Sequence, residues 1–218
     1  MGFLTDLYHI YVTRADFFLE LFLQHAMLAF IAAGIILVVA ISLGVLMTRN
    51  RRFADFILGL TGFLYTIPSI AMFGFFIAIS GIGNTTAIAV MSIYGVLPLV
   101  RNTYVGLMEV DMDIIEAATG MGSTDWQLLV KIKFPLALPV ITAGFRTTVI
   151  MAIALGAIAS FIGAGGLGVA IWRGISTNNQ TLTVAGSLLV ALFAVSTDFL
   201  LSRLERWIQH KYYGRNVT

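Results

Sequence analysis

The sequence predicts an all-α integral membrane protein with five transmembrane helices and one polar cytoplasmic loop between the third and the fourth. Three observations predict it. The 218 residues are 59% hydrophobic and only 11% charged, whereas a water-soluble domain carries roughly a quarter charged residues. Charge is also missing in long runs: 28 residues between Glu20 and Arg49, 45 between Asp55 and Arg101, 26 between Arg146 and Arg173, and 24 between Arg173 and Asp198. A helix needs about 20 apolar residues to cross a bilayer, so each run holds one span and the longest holds two. Finally, the bases flank the runs, as the membrane surface requires.

In chain order, residues 1–20 carry Asp6, Asp16 and Glu20 against one Arg14, the reverse of a basic signal-peptide start, and form an extracellular or interfacial segment with no cleaved signal. The first span covers 21–47 and ends on Arg49, Asn50, Arg51 and Arg52. The second covers 56–79 and stops at Ser80, Gly81, Ile82, Gly83 and Asn84, a small and polar turn. The third covers 85–103. Residues 109–135 follow, with four acids between Glu109 and Glu116. The fourth span covers 140–162, a glycine-rich loop occupies 163–168, and the fifth span covers 182–202.

Orientation follows from the bases. With the Arg49 cluster in the cytoplasm, Arg101, Lys131, Lys133, Arg146, Arg203, Arg206, Lys211 and Arg215 also lie at the inner face, and only Arg14 and Arg173 lie outside. Positive charge concentrates on cytoplasmic loops, so the N-terminus faces out and the C-terminus in. Arg101 and Arg146 sit near inner span ends, where long stems let the charge reach the interface. Asp198, five residues before Arg203, reads as a structural ion pair or a solvated end. Trp172 and Trp207 fall at span ends and suit an aromatic belt.

Several chemistries are excluded. The pI of about 9.0 reflects membrane topology, not nucleic-acid binding. There is no cysteine, hence no disulfide or thiolate site, and His9, His25 and His210 are too scattered for a metal centre. No G-x-x-x-x-G-K-[ST] phosphate loop occurs, so this chain does not hydrolyse ATP. Gly163, Gly165 and Gly168 formally fit G-x-G-x-x-G, but no strand precedes them and Leu188 stands where the ribose-binding acid belongs. A close-packing loop at the outer mouth, serving as a gate, fits Gly163, Gly165, Gly166 and Gly168 better.

The polar loop carries the function. Glu116, Ala117 and Ala118 are followed after three residues by Gly122, after nine more by Ile132, and then by Phe134 and Pro135. Residues 112–120 have the spacing of a short surface helix, Gly120 and Gly122 can end it, and Ser123 or Thr124 can cap a second helix bearing Trp126, Leu128, Leu129 and Ile132. Pro135 suits the first turn of a following helix, and Pro139 starts the next span.

This pattern resembles E-A-A-x3-G-x9-I-x-L-P, the cytoplasmic signature of permease subunits of binding-protein-dependent ABC importers, with Phe134 where the pattern has Leu. Thr66, Ile67, Pro68 and Ser69, the segment Leu97, Pro98, Leu99, Val100, Arg101, Asn102, Thr103, and the segment from Phe161 to Gly168 resemble permeases of the glycine betaine, carnitine and choline osmoprotectant group. The likeness runs over 48–206. It implies a methionine-permease-like fold in the cell membrane and a coupling knob at Glu116, Ala117, Ala118, Gly122, Ile132, Phe134 and Pro135. The implied partners are an ABC ATPase dimer that carries the ATP and Mg, a second permease subunit (a paralogue or this chain again) and an extracellular binding protein. No cofactor is expected in this chain, and the implied role is uptake under osmotic stress by alternating access.

A quaternary ammonium ion offers no N–H, so aromatic faces hold it. Tyr65 and Tyr94, near Pro68 and Pro98 at mid-depth, are therefore pathway candidates. Two alternatives stand beside this reading: an ATP-independent channel or secondary transporter, and an ABC permease for another small solute such as an amino acid or a betaine-like thiol. The first lacks an acid pair for ion coupling and evident inverted repeats.

Overall fold

The computed structural model describes residues 2–213 and is helical throughout apart from its turns. Helix α1 (Phe3–Thr13) is separated from α2 (Ala15–Met47) by Arg14, whose backbone leaves the helical region at φ −124°. Nothing after Arg14 opposes helix formation, so α2 starts six residues before the expected boundary and spans about 50 Å at 1.5 Å per residue. Residues 3–20 are thus a short helix joined to the first turn and a half of the span. Helix α1 lies against the outer end of the last helix, where Tyr11 donates to the Ala185 carbonyl at 2.9 Å.

Asn50 starts α3 (Arg51–Thr66), its side-chain oxygen accepting from the N–H groups of Arg52 and Phe53 at 2.9 and 3.2 Å, the standard satisfaction of free helix-start donors. The expected second span is not one helix. It is α3 followed by α4 (Ser69–Ser80), bent by 98° at Ile67 and Pro68. Pro68 has no N–H and disfavours helical geometry at the residue before it, so Ile67 is extended at ψ 128°. The chain turns back through Gly81 and Gly83, both at positive φ, into α5 (Asn84–Met108). Helix α5 passes through Pro98 without a break and runs beyond the expected end at 103.

The polar loop folds as α6 (Met112–Gly120) and α7 (Asp125–Leu128). A π-helical turn, Leu129–Lys133, then leads directly into α8 (Phe134–Ala159) and a 3-10 turn, Ser160–Ile162. The expected fourth span at 140–162 is therefore the outer part of one rod, Asp125–Ile162, of 38 residues. Pro139 does not start it, because the wide π turn ahead of Pro135 absorbs the proline geometry and keeps the axis continuous. After the glycine loop come α9 (Gly168–Ser176), a helix the sequence reading left unassigned, and α10 (Gln180–Tyr213). Among the described residues four helices are long and apolar enough to span a bilayer, five with the bent pair. Arg215 lies outside the described residues.

Helices α5 and α8 form the centre, covered by α2 on one side and by α4 and α10 on others. Close approach depends on small residues, as between helices in lipid. A Cβ at Gly144 of α8 would lie 2.7 Å from Cβ of Asn102 in α5, and one at Gly44 of α2 would lie 2.5 Å from Cγ2 of Thr103. The Thr148 hydroxyl donates to the Gly95 carbonyl at 3.0 Å and ties α8 to α5 in the fully buried interior.

Candidate functional site

The knob at the inner end explains the spacing of its motif. Asp111 caps α6 by accepting from the Asp113 N–H at 2.9 Å. At the other end the Ser123 N–H donates to the Ala118 carbonyl at 3.1 Å and the Gly122 N–H to the Thr119 carbonyl at 2.9 Å. This paired closure is a Schellman motif, whose penultimate residue must adopt a left-handed conformation. That residue is Gly122, at φ 87°. Ala118, four residues earlier, is the one buried residue of α6, while Glu116 and Ala117 face solvent. Thr124 and Gln127 then form a reciprocal capping box at 3.3 and 3.0 Å and start α7. Met112, Met121 and Trp126 remain 62%, 82% and 68% exposed, so the knob presents apolar side chains on its open side. Ile132, Phe134 and Pro135 are half-buried where the rod enters the bundle, and Phe134 packs on its core, so Phe fills the place of the pattern's Leu.

At the outer end, Gly163, Gly165 and Gly166 have φ of 75°, 75° and 80°, a region costly for any residue with a Cβ. Gly168 opens α9 against the Ala157 carbonyl and Ser160 hydroxyl, where a Cβ would collide. Two residues of α2 hold this loop. Gln24 Oε1 accepts from the Gly166 N–H at 3.1 Å, and its amide donates to Glu20 at 3.0 Å. His25 is fully buried; its Nδ1 accepts from the Leu167 N–H at 3.3 Å, so its Nε2 carries the proton and donates to the Ile153 carbonyl at 2.9 Å. Sequence reasoning set His25 aside as a scattered histidine; its lone place in an otherwise apolar run was the available signal.

The bend at Pro68 gathers three of the four pathway candidates. Tyr94 is buried and its hydroxyl donates to the Ile67 carbonyl, a group that the end of α3 leaves without a helical partner. Tyr65 stands beside it with ring centroids 5.8 Å apart, but is 47% exposed and its hydroxyl points at Met151 Sδ, 3.5 Å away. Tyr94 thus closes the bend, and Tyr65 presents a ring to the open face. Pro98 lies one turn further along α5, inside the unbroken helix.

Arg146 does not reach out to the interface as expected. Its guanidinium grips Asp198 with two bonds, 2.6 Å from Nε and 2.8 Å from Nη2, and bonds Glu205 at 3.2 Å. Arg203, the anticipated neighbour of Asp198, lies instead over the Phe199 ring at 4.9 Å. Arg101 is exposed, Trp172 packs edge-on against Phe161 at 4.8 Å, and Lys211 covers Trp207 at 5.2 Å. No group of three or more metal-ligating side chains converges among the described residues.

A bundle of apolar helices, one pair sharply bent at Pro68, with a two-helix knob at one end, is the architecture of a multi-span membrane subunit. The chain belongs to the family of binding-protein-dependent transport system inner membrane components, whose model matches residues 36–210. It is 40% identical over 205 residues to the osmoprotectant import permease OsmW of Salmonella typhimurium, covering 92% of this chain and 95% of that one. It is 38% identical over 182 residues to the carnitine transport permease OpuCB of Listeria monocytogenes, covering 84% of each. It is also 43% identical over 186 residues to the ergothioneine transport permease/binding protein EgtU of Helicobacter pylori, 84% of this chain but only 34% of that longer protein. In fold it resembles the MetNI methionine ABC transporter in an inward-facing form, with TM-score 0.79, 22% identity and coverage of 88% and 95%. A second likeness is an amino acid ABC transporter, with TM-score 0.76, 18% identity and coverage of 94% and 98%. The channel or secondary-transporter alternative is set aside by this membership. As a permease of this family, the chain is a multi-span membrane subunit without an ATPase site of its own.

Proposed function

We propose that the chain is the permease subunit of an importer for quaternary ammonium solutes such as glycine betaine, carnitine or choline. The knob geometry supports the coupling role: a capped two-helix unit with exposed Glu116, Met121 and Trp126 is built to seat in a partner, here a dimeric ATPase that binds ATP and Mg. Glu116, Ala117, Ala118, Gly122, Ile132, Phe134 and Pro135 make the coupling surface and its root. An extracellular binding protein delivers the solute, and a second permease subunit, either this chain or a paralogue, completes the path. The distribution of bases supports an N-terminus outside and a C-terminus in the cytoplasm. Gly163, Gly165, Gly166 and Gly168 form the outer gate, held by Gln24 and His25.

The likeness to osmoprotectant and carnitine permeases supports the substrate class; the likeness to an ergothioneine permease adds a second candidate. Radiolabelled uptake into proteoliposomes holding the whole assembly tests it, with trimethylammonium compounds, ergothioneine and methionine as competitors. Competition by the trimethylammonium compounds, ergothioneine being itself a trimethylammonium betaine, and not by methionine is expected. Competition by methionine alone refutes the substrate class, and uptake without ATP refutes the coupling.

A further inference from the structure

The charged cluster in the inner half of the bundle borders a groove whose opposite margin, Met151, is touched by Tyr65. The groove is about 500 Å³ and is lined by Arg146, Thr147, Ile150, Met151, Asp198 and Glu205 among others, within the roughly 300–1,000 Å³ of small-molecule sites. At 100° per residue, Thr147 and Ile150 lie on the floor of α8, Arg146 at one margin and Met151 at the other. The first margin meets Asp198 and Glu205 of α10, and at the second the Tyr65 hydroxyl reaches Met151 Sδ at 3.5 Å, which sets that half-exposed side chain of α3 beside the groove's edge. Arg146 and Asp198 keep 35% and 40% of their side chains accessible. Charges inside spans face a bundle interior or a water-filled cavity, not lipid, so the groove opens on the solute path.

One cation against two carboxylates leaves this wall with a net charge of −1. Three of the five guanidinium N–H groups are taken, two by Asp198 and one by Glu205, so the arginine is committed to the carboxylates and their excess charge sets the character of the wall. A carboxylate excess on one side and an aromatic side chain at the edge of the other suit a cation that needs no hydrogen bond. Resting on the quaternary-ammonium reading above, the geometry points to this groove as a transit station for the trimethylammonium head. Asp198 and Glu205 attract it, Tyr65 receives it, and Arg146 holds the two carboxylates in place.

The test uses the complete transporter in proteoliposomes at saturating binding protein, with radiolabelled choline and glycine betaine as probes. Glu205→Gln keeps an acceptor for Arg146 but cancels the net charge. It is expected to lower transport per complex by about tenfold, the scale of one charge at ~10 Å in an effective dielectric of ~20, with choline affected more than the zwitterion. Tyr65→Leu is expected to fall about threefold below Tyr65→Phe, since only the ring is needed. Thermal unfolding of each complex is followed in parallel. Wild-type transport by both Glu205→Gln and Tyr65→Leu overturns the station, as does a loss in Glu205→Gln matched by a lowered Tm with Tyr65→Leu unaffected. If the wild-type complex carries neither probe, the substrate reading itself fails.

Discussion

Gly122 offers a graded perturbation of the knob. Its φ of 87° closes α6 through the bonds to Ala118 and Thr119, and no atom lies within 4 Å of where a Cβ would stand. Substitution there meets no steric collision, so its cost is conformational alone. A left-handed backbone costs an ordinary L-residue about 1–2 kcal/mol, less for Asn, which visits this region readily, and more for a β-branched residue. One to two kcal/mol lowers the closed-to-open equilibrium constant of the knob by roughly 5–30-fold. If docking selects the closed conformation and the variant knob is mostly open, apparent affinity for the ATPase falls by up to the same factor. The expected order of uptake at limiting ATPase is Gly122, then Asn, Ala and Val, with excess ATPase restoring much of the loss. Membrane insertion and Tm of the permease are expected to stay near wild type, because the knob lies outside the packed bundle. Equal uptake by Gly122→Val and wild type at limiting ATPase would refute the reasoning, and so would a loss that excess ATPase cannot reduce.

Three further outcomes are expected. Glu116→Lys reverses an exposed charge on the docking face and is expected to abolish uptake and coupled ATP hydrolysis while leaving insertion intact, checked by membrane fractionation alongside transport. His25→Ala removes the partners of the Leu167 N–H and the Ile153 carbonyl in a fully buried place. Its expected cost is about 2–5 kcal/mol from the lost bonds and the cavity, seen as a lowered Tm and faster proteolysis of the loop at 163–168. Tyr94→Phe leaves the Ile67 carbonyl unpaired at a cost of about 1–3 kcal/mol; an unchanged Tm would show that water replaces the hydroxyl there.

What the sequence made legible was whatever a bilayer imposes on composition. Charge gaps located the spans because an unpaired charge in hydrocarbon is expensive. Gly122 was legible because its distance from Ala118 is the length of one helix-ending motif. Pro68 was legible as a disruption, but not its 98° bend or the partner of the freed Ile67 carbonyl, Tyr94, 27 residues after Ile67. Pro98, Pro135 and Pro139 looked alike in sequence and do not break the helix: the first sits in a tightly packed central helix and the others follow a π turn that makes room for them. Arg146 and Asp198 stand 52 residues apart, and no local pattern brings them together; Arg203 was nearer in sequence but points elsewhere. His25 took its role from a loop 142 residues away, so only the fold could reveal it.

The rod Asp125–Ile162, of which α8 is the main part, joins the knob, the groove and the glycine loop over about 57 Å, from its 38 residues at 1.5 Å each. Its stiffness is uneven, and the hydrogen bonds say where. Around the π turn the Phe134 N–H reaches back five residues to the Leu129 carbonyl, and Pro135 and Pro139 have no N–H to give, so the inner end lacks several of its ladder bonds. Beyond it, Thr148 ties the rod to α5 at Gly95, and His25 ties it to α2 at Ile153, both from buried positions. Gly156 lets the imidazole approach, since a Cβ there would stand 2.7 Å from Nε2. A rod whose hydrogen-bond ladder is thinned at residues 129–139 and cross-tied at Thr148 and Ile153 is expected to bend at the π turn sooner than beyond it, although Ala137 and Pro139 are themselves buried against the bundle.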